Sequence, residues 1–125
     1  MRLRFPKTAR LNRASEFLRV KTEGQSCHGR LMVLSFLKTG EPLTRIGFIT
    51  SRRVGNAVTR NRVRRRLREI IRLSRPRMKI GHWLVLVARK SAADASYAAM
   101  EQEWLKLARQ TSIFENQTDA DPQRR

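Results

Sequence analysis

The residues best suited to chemistry in this chain are arginines concentrated in the middle of the sequence. Between Arg52 and Lys79 the chain has eleven Arg, one Lys and a single acid, Glu69. A planar guanidinium can donate parallel hydrogen bonds to phosphate oxygens and stack on a base, whereas an ammonium acts as a point charge. Such a concentration of like charge is favourable only when a partner supplies counter-charge. We therefore expect a polyanionic partner, and nucleic acid in particular.

Hydrophobic periodicity places these arginines on one face of a helix over residues 57–74, with Asn56 as its N-cap. The apolar stripe comprises Val63, Leu67, Ile70, Ile71 and Ser74, and the polar stripe comprises Asn61, Arg64, Arg65, Arg68 and Arg72. Arg60 to Arg72 spans about 18 Å at 1.5 Å per residue, enough to follow several phosphates. The alternative is an ordinary solvated face, which usually carries acids four residues from its cations. Here Glu69 alone does so.

The distribution of charge also favours nucleic acid over a membrane. Residues 1–79 hold 22 basic and 4 acidic residues of the +18 chain, whereas residues 80–125 hold 6 of each. The longest apolar run near the sheet region, residues 83–88, is far too short to span a bilayer. Cys27 is the single cysteine, so the sequence predicts no internal disulfide and no CxxC zinc site. A reducing, cytoplasmic location without membrane association is expected.

Nothing in the sequence predicts a catalytic side chain. The two histidines, His28 and His82, are far apart in sequence and have no neighbouring carboxylate. No paired-carboxylate motif indicates a protein-borne metal site, so we expect neither catalytic nor metal-binding residues. A protein-only endonuclease would need a carboxylate cluster, and the acids here are scattered.

The elements that must position the arginines follow from local signals. Helices are predicted over residues 15–23, with Ser15 as cap, and over residues 95–110, with Asp94 as cap. Strands are predicted over residues 31–38, 45–51 and 83–89, the first two as a hairpin and the last as a central strand. The order helix, strands, helix, strand, helix predicts an α/β chain folded as an α+β two-layer sandwich. A split βαβ crossover would carry the basic helix. We expect a basic N-terminal arm over residues 1–13, one RNA-binding domain over 14–112, and a polar, disordered tail over 113–125.

Several segments resemble one family, the protein subunit of bacterial ribonuclease P. The stretch GNAVTRNRVRRRLRE from Gly55 resembles its RNR signature, and RIGF followed by SRRVGNAVTRNR resembles its strand–turn–helix entry. The segment from Val85 to Leu107 resembles its last strand and last helix, and RLNRASEFLRVKTEG from Arg10 resembles its first helix. The resemblance covers roughly residues 10–110.

The resemblance implies an accessory role in removing the 5′ leader from precursor tRNA. In that family a catalytic RNA coordinates the magnesium ions, and the protein binds this RNA and the single-stranded leader; no organic cofactor is implied. The positions that match the RNA-subunit-binding segment are Arg52, Arg53, Arg60, Asn61, Arg62, Arg65, Arg66 and Arg68. Free protein is expected to be monomeric.

The family's leader-binding cleft lies between the first helix, the sheet and the RNR helix. The candidate lining residues here are Phe17, Lys21, Phe36 and Phe48. Lys21 stands where many members carry a second aromatic, and Ser35 where an aromatic is common, so Lys21 would contact phosphate where others stack. Core packing is the alternative role for Phe17. The alternative function is a ribosomal or other structural RNA-binding protein without a processing role, which would not need a single-strand cleft.

Overall fold

A computed structural model describes residues 7–114 as one mixed sheet with helices on both faces. The helices are α1 (Ala14–Glu23), α2 (Ala57–Ser74) and α3 (Tyr97–Gln110). The strands are β1 (Gln25–His28), β2 (Met32–Lys38), β3 (Arg45–Ile49) and β4 (His82–Ala88). Short 3₁₀ turns occupy Lys7–Ala9, Arg52–Val54, Arg75–Arg77 and Lys90–Asp94. The predicted α+β sandwich is confirmed.

The strand order is β1-β2-β4-β3, with β3 and β4 parallel and the other pairs antiparallel. The predicted hairpin between β2 and β3 is therefore wrong, because β4 lies between them. The crossover β3–α2–β4 carries the basic helix as predicted, but it is not split, because β3 and β4 are neighbours that pair directly in parallel. The central position of β4 is confirmed. The sequence did not predict β1, a short polar strand whose residues are mostly exposed.

Strand alternation divides the apolar residues between two cores. Leu34, Leu84 and Leu86 face α2 and α3 and join the main core, which also includes Trp104. Val85 and Trp83 face α1, where they cluster with Leu11 and Val20. The apolar stripe predicted for α2 is buried throughout. Two faces of one sheet are thus covered, but α1 alone covers the second face and leaves part of it open.

The ends of the helices depart from the sequence predictions in detail. Asn56 caps α2 as predicted, accepting from the N–H of Thr59 at 3.0 Å. Ser96, not Asp94, caps α3 by accepting from Ala99. At α1 the cap position is Arg13, not Ser15, because the Glu16 carboxylate reaches back to accept from the N–H groups of Arg13 and Asn12, each at 3.0 Å.

Glu16 also forms an ion pair with Arg45 at 2.9 Å. Burial alone would raise the pKa of the Glu16 carboxyl. The two N–H donors and the Arg45 guanidinium outweigh burial and hold the pKa below its ordinary 4.5. Arg45 and Arg19 in turn lie over the Trp83 ring, at 5.3 and 5.1 Å from its centroid. This cluster fastens α1 to the end of the sheet.

The predicted domain boundaries are too narrow on both sides. Ala9 and Leu11 are 0% and 4% exposed, and the N–H of Leu11 donates to Ile46 at 2.9 Å, so this part of the predicted arm belongs to the fold. Ile113 and Phe114 are likewise 0% and 6% exposed. Residues 1–6 and 115–125, the rest of the predicted arm and tail, lie outside the described residues. No helix among residues 7–114 is long and apolar enough to cross a membrane.

Candidate nucleic-acid interface

The solvent-facing side of α2 presents a surface rich in arginine. Arg65 and Arg68 are exposed, and Arg60 is half-buried beside them. Burial lowers the pKa of Arg68, and the neighbouring charges of Arg10 and Arg64 lower it further. The charges of Arg10 and Arg64 thus add to the effect of burial, and an anion bound on this face would offset them.

A groove of about 530 Å³ runs along this face of α2. Its lining residues are Arg10, Arg65, Arg66, Arg68, Glu69, Arg72 and Tyr97. Arg72 donates to both carboxylate oxygens of Glu69, at 3.0 and 2.7 Å, and this bond raises the pKa of Arg72. Sequence reasoning missed Arg10 as a site residue because the predicted arm carried no packing signal. The hydrogen bond from Leu11 to Ile46 of β3 places the preceding residue, Arg10, in this groove.

Two arginines of the RNR segment turn instead toward the protein. Arg62 donates to the carbonyl oxygen of Ala93 at 2.9 Å, and Arg66 donates to that of Ala95 at 3.0 Å. Both carbonyls belong to the turn between β4 and α3. These guanidiniums therefore hold that turn against α2, a role that helical periodicity could not reveal. Their predicted contact with RNA stays a prediction.

Asn61 helps to orient the side chain of Arg64. Its side-chain oxygen accepts from Arg64 at 3.0 Å, and Arg64 also donates to the Thr50 hydroxyl at 2.6 Å. Arg64 is thereby oriented toward the carboxyl end of β3. At the entry to α2, Arg52 and Arg53 are exposed on a 3₁₀ turn that Ser51 caps by accepting from the N–H of Arg53 at 3.3 Å.

A second concave surface of about 500 Å³ lies between α1 and the open face of the sheet. We call it the α1 cleft. Its lining residues are Phe17, Leu18, Val20, Lys21, Ser26, Ser35, Ile49, Val85 and Val87. Its floor is apolar, Lys21 is exposed at its margin, and the hydroxyls of Ser26 and Ser35 are 2.8 Å apart. An apolar floor with one cation and two hydroxyls suits a flexible strand of nucleotides.

Of the four residues predicted for this cleft, Phe17 and Lys21 line it. Phe17 packs on the backbone of Gly47, where an added Cβ would lie 2.5 Å from the ring. Phe36 was predicted there wrongly: Ser35 faces the cleft, so the next residue of β2 points to the opposite face and packs on the main core.

Phe48 also lies outside the α1 cleft, because it shares the main-core face of β3 with Ile46. Phe48 instead lines a neighbouring groove of about 370 Å³ between α1, β3 and α2. Phe17, Arg64 and Arg68 line that same groove. Phe17 thus connects the α1 cleft to the arginines of α2.

Among residues 7–114, no three His, Cys, Asp or Glu side chains converge as metal ligands would. His28 is exposed, and burial lowers the pKa of His82. The His82 ring nitrogen Nδ1 lies 3.2 Å from the carbonyl oxygen of Ile80, in its own strand-entry turn. The described residues therefore offer cations and concave surfaces that suit anions and an extended strand.

An α+β fold with a guanidinium-rich helix beside an open, partly apolar sheet face has the features of a nucleic-acid-binding domain. The family model for ribonuclease P matches residues 5–112. The chain therefore belongs to the ribonuclease P protein family.

Relatives and solved structures agree with this membership. The ribonuclease P protein component of Natranaerobius thermophilus is 37% identical over 105 residues, covering 84% of this chain and 91% of that protein. That of Symbiobacterium thermophilum is 36% identical over 113 residues, covering 89% and 97%. The Thermotoga maritima RNase P protein has a TM-score of 0.72 at 28% identity, covering 78% of this chain and 93% of that one. The Staphylococcus aureus protein reaches 0.81 at 23% identity, covering 87% and 100%, and this likeness concerns the fold alone.

Proposed function

We propose that this protein assists the catalytic RNA of ribonuclease P in removing the 5′ leader from precursor tRNA. Family membership supports the partnership with ribonuclease P RNA. The observation that supports the rest is the pairing of two different surfaces on one small domain. The arginine face of α2 suits a folded RNA, and the α1 cleft suits an unpaired strand.

The arginine face supports binding of the RNA subunit through phosphates. Arg65 and Arg68 are exposed, and they line the groove along α2 together with Arg10. Because guanidinium forks match phosphate oxygens, this surface neutralises backbone charge without reading sequence. Arg52, Arg53 and Arg60 extend it along the entry to α2.

The α1 cleft is the proposed leader site. Phe17 offers one aromatic edge, while Lys21 and the Ser26–Ser35 hydroxyl pair offer polar contacts. Base stacking on one aromatic is sequence-tolerant, and an exposed lysine contacts phosphate equally well in any sequence. The leader is therefore held with little base preference.

In this proposal the RNA subunit binds the magnesium ions. The described residues bring no set of carboxylates, thiolates or imidazoles together, so magnesium would be held mainly by the RNA subunit. The protein lowers the repulsion between RNA strands by placing cations between them. In this proposal the described residues bind and orient RNA, and the catalytic RNA carries out the chemistry. The free protein is proposed to be a monomer.

The test is cleavage of a precursor tRNA by a bacterial ribonuclease P RNA at low magnesium, with and without the protein. Native protein should stimulate cleavage, and Arg65→Ala/Arg68→Ala should lose most of that stimulation. The matched control, Lys38→Ala/Lys106→Ala, removes two exposed cations away from both surfaces and should stimulate normally. Cleavage by RNA-free protein, or absence of stimulation with RNA binding intact, would refute the proposal.

A further inference from the structure

Tyr97 is the single aromatic side chain among the residues that line the arginine groove along α2. It is the first residue of α3, and helical spacing places it in line with Met100 and Trp104, which are fully buried. Tyr97 itself is only half-buried, because it packs against the main core and also lines the groove. A surface that only neutralises phosphates needs no aromatic side chain, so Tyr97 indicates a second kind of contact.

The part of the groove beside Tyr97 also differs in charge from the rest. Glu69 is the single acid among the lining residues, and Arg72 donates to both of its carboxylate oxygens. Burial and the Glu101 and Glu69 carboxylates raise the pKa of the Tyr97 hydroxyl, whereas Arg72 lowers it. A phosphate is less favoured beside a carboxylate than among the exposed arginines, whereas an uncharged nucleobase is not repelled there. This part of the groove therefore suits a base.

The backbone that carries Tyr97 is fixed on both sides of this residue. Ser96 caps α3 by accepting from the N–H of Ala99 at 3.1 Å. Arg66 donates to the carbonyl oxygen of Ala95 at 3.0 Å and thereby ties the start of α3 to α2. A tyrosine side chain has few rotatable bonds, and the ring of Tyr97 already packs against the main core. A base that stacks on it therefore costs little conformational entropy in the protein.

We propose that the ring of Tyr97 stacks on an unpaired nucleobase of the ribonuclease P RNA, next to phosphates bound by Arg65 and Arg68. Unpaired RNA bases that are splayed out of a helix commonly stack on aromatic side chains. Arg65 and Arg72 lie about 10 Å apart along α2, so one short segment of RNA can contact both parts of the groove. The partner is the RNA subunit and not the leader, because the α1 cleft lies on the opposite face of the sheet. This inference rests on the proposed function.

The test is binding of ribonuclease P RNA, across a salt series, to native protein, Tyr97→Phe and Tyr97→Leu. Phenylalanine keeps the ring, so Tyr97→Phe should bind within about threefold of native protein. Leucine keeps apolar bulk without a ring, so Tyr97→Leu should bind about tenfold more weakly than Tyr97→Phe. Both variants should keep the native salt slope, because neither change removes a cation. Thermal unfolding establishes whether each variant is folded at the temperature of the assay.

Equal affinity of the two folded variants, or a flatter salt slope in Tyr97→Leu, would overturn the inference and leave the proposed function standing. If Tyr97→Leu is not folded, ultraviolet crosslinking of the native holoenzyme with bound precursor tRNA decides instead. Mass spectrometry should then find the peptide that contains Tyr97 joined to a nucleotide of the RNA subunit. Absence of that adduct, or an adduct with precursor tRNA in its place, would overturn the inference. Failure of native protein to stimulate cleavage would refute the proposed function itself.

Discussion

Replacing Arg65 and Arg68 by Ala should flatten the salt dependence of RNA-subunit binding, whereas replacing Arg62 should first lower the stability of the fold. The two sets lie on one helix and carry the same charge, but their contacts differ. Arg65 and Arg68 are exposed. Arg62 donates to the carbonyl oxygen of Ala93, in the turn between β4 and α3.

The magnitudes follow from counting free guanidiniums among the predicted RNA-binding residues. Of those eight residues, Asn61, Arg62 and Arg66 bond to other parts of the protein, which leaves five arginines. Five neutralised phosphates give a log–log salt slope of about −4.5, at about 0.9 each for a duplex-like RNA. Removing Arg65 and Arg68 should therefore bring the slope to about −2.7.

Arg62→Ala should instead leave the slope close to native. A hydrogen bond from a charged donor is worth about 1.5–3 kcal/mol. Because Arg62 is half-exposed, we expect about 1 kcal/mol, or a fall in Tm of about 5 °C.

The assay is filter binding of ribonuclease P RNA across a salt series, paired with thermal unfolding of each variant. Arg65→Ala/Arg68→Ala should retain the native Tm within about 2 °C, because exposed substitutions rarely change stability. The reasoning would be refuted if Arg62→Ala flattened the slope as much per residue as the exposed pair and left Tm unchanged. That result would place Arg62 on the RNA rather than on the turn.

Three further variants test the supports of the site. Gly47→Ala should destabilise the fold by about 1–3 kcal/mol and weaken leader binding, because its Cβ would displace Phe17; unchanged denaturant unfolding would contradict this packing. Glu103→Gln should cost about 2–4 kcal/mol, since its carboxylate accepts three backbone N–H groups, whereas the control Glu101→Gln should be near neutral by the same assay. Glu16→Gln tests pH dependence: the depressed pKa of Glu16 means that its stabilisation is complete above pH 4.5 and is lost as pH falls through the lower folded pKa. The Tm of the variant should therefore fall less steeply than that of native protein as the pH is lowered. An equally steep fall in Tm would count against the Glu16 bonds.

Local signals in the sequence predicted α2 almost completely. Its bounds, its Asn56 cap and its buried stripe all agree with the structure, because 18 residues of strong periodicity leave little choice of face. The central position of β4 also followed, since a continuous apolar run needs cover on both sides.

Longer-range features could not be predicted. Strand order depends on pairing between distant segments, and the short loop before β3 suggested a hairpin that β4 interrupts. The direction of Phe36 depended on the register of β2, where a shift of one residue exchanges the faces. The roles of Arg62 and Arg66 depend on a turn about thirty residues further along the chain. Family resemblance predicted the residues of the site, and the structure divides them into solvent-exposed residues and residues that bond to other parts of the fold.

The most direct test of the central claim, that two surfaces of this domain hold two different RNA strands, is site-specific crosslinking in the assembled complex. After Cys27→Ala removes the single cysteine, a photo-crosslinker is attached to Lys21→Cys in one protein and to Arg65→Cys in another. With precursor tRNA bound to the holoenzyme, the probe at position 21 should crosslink to leader nucleotides, and the probe at position 65 should crosslink to the RNA subunit. Crosslinking of both positions to the same strand, or of position 21 to the RNA subunit alone, would contradict the account.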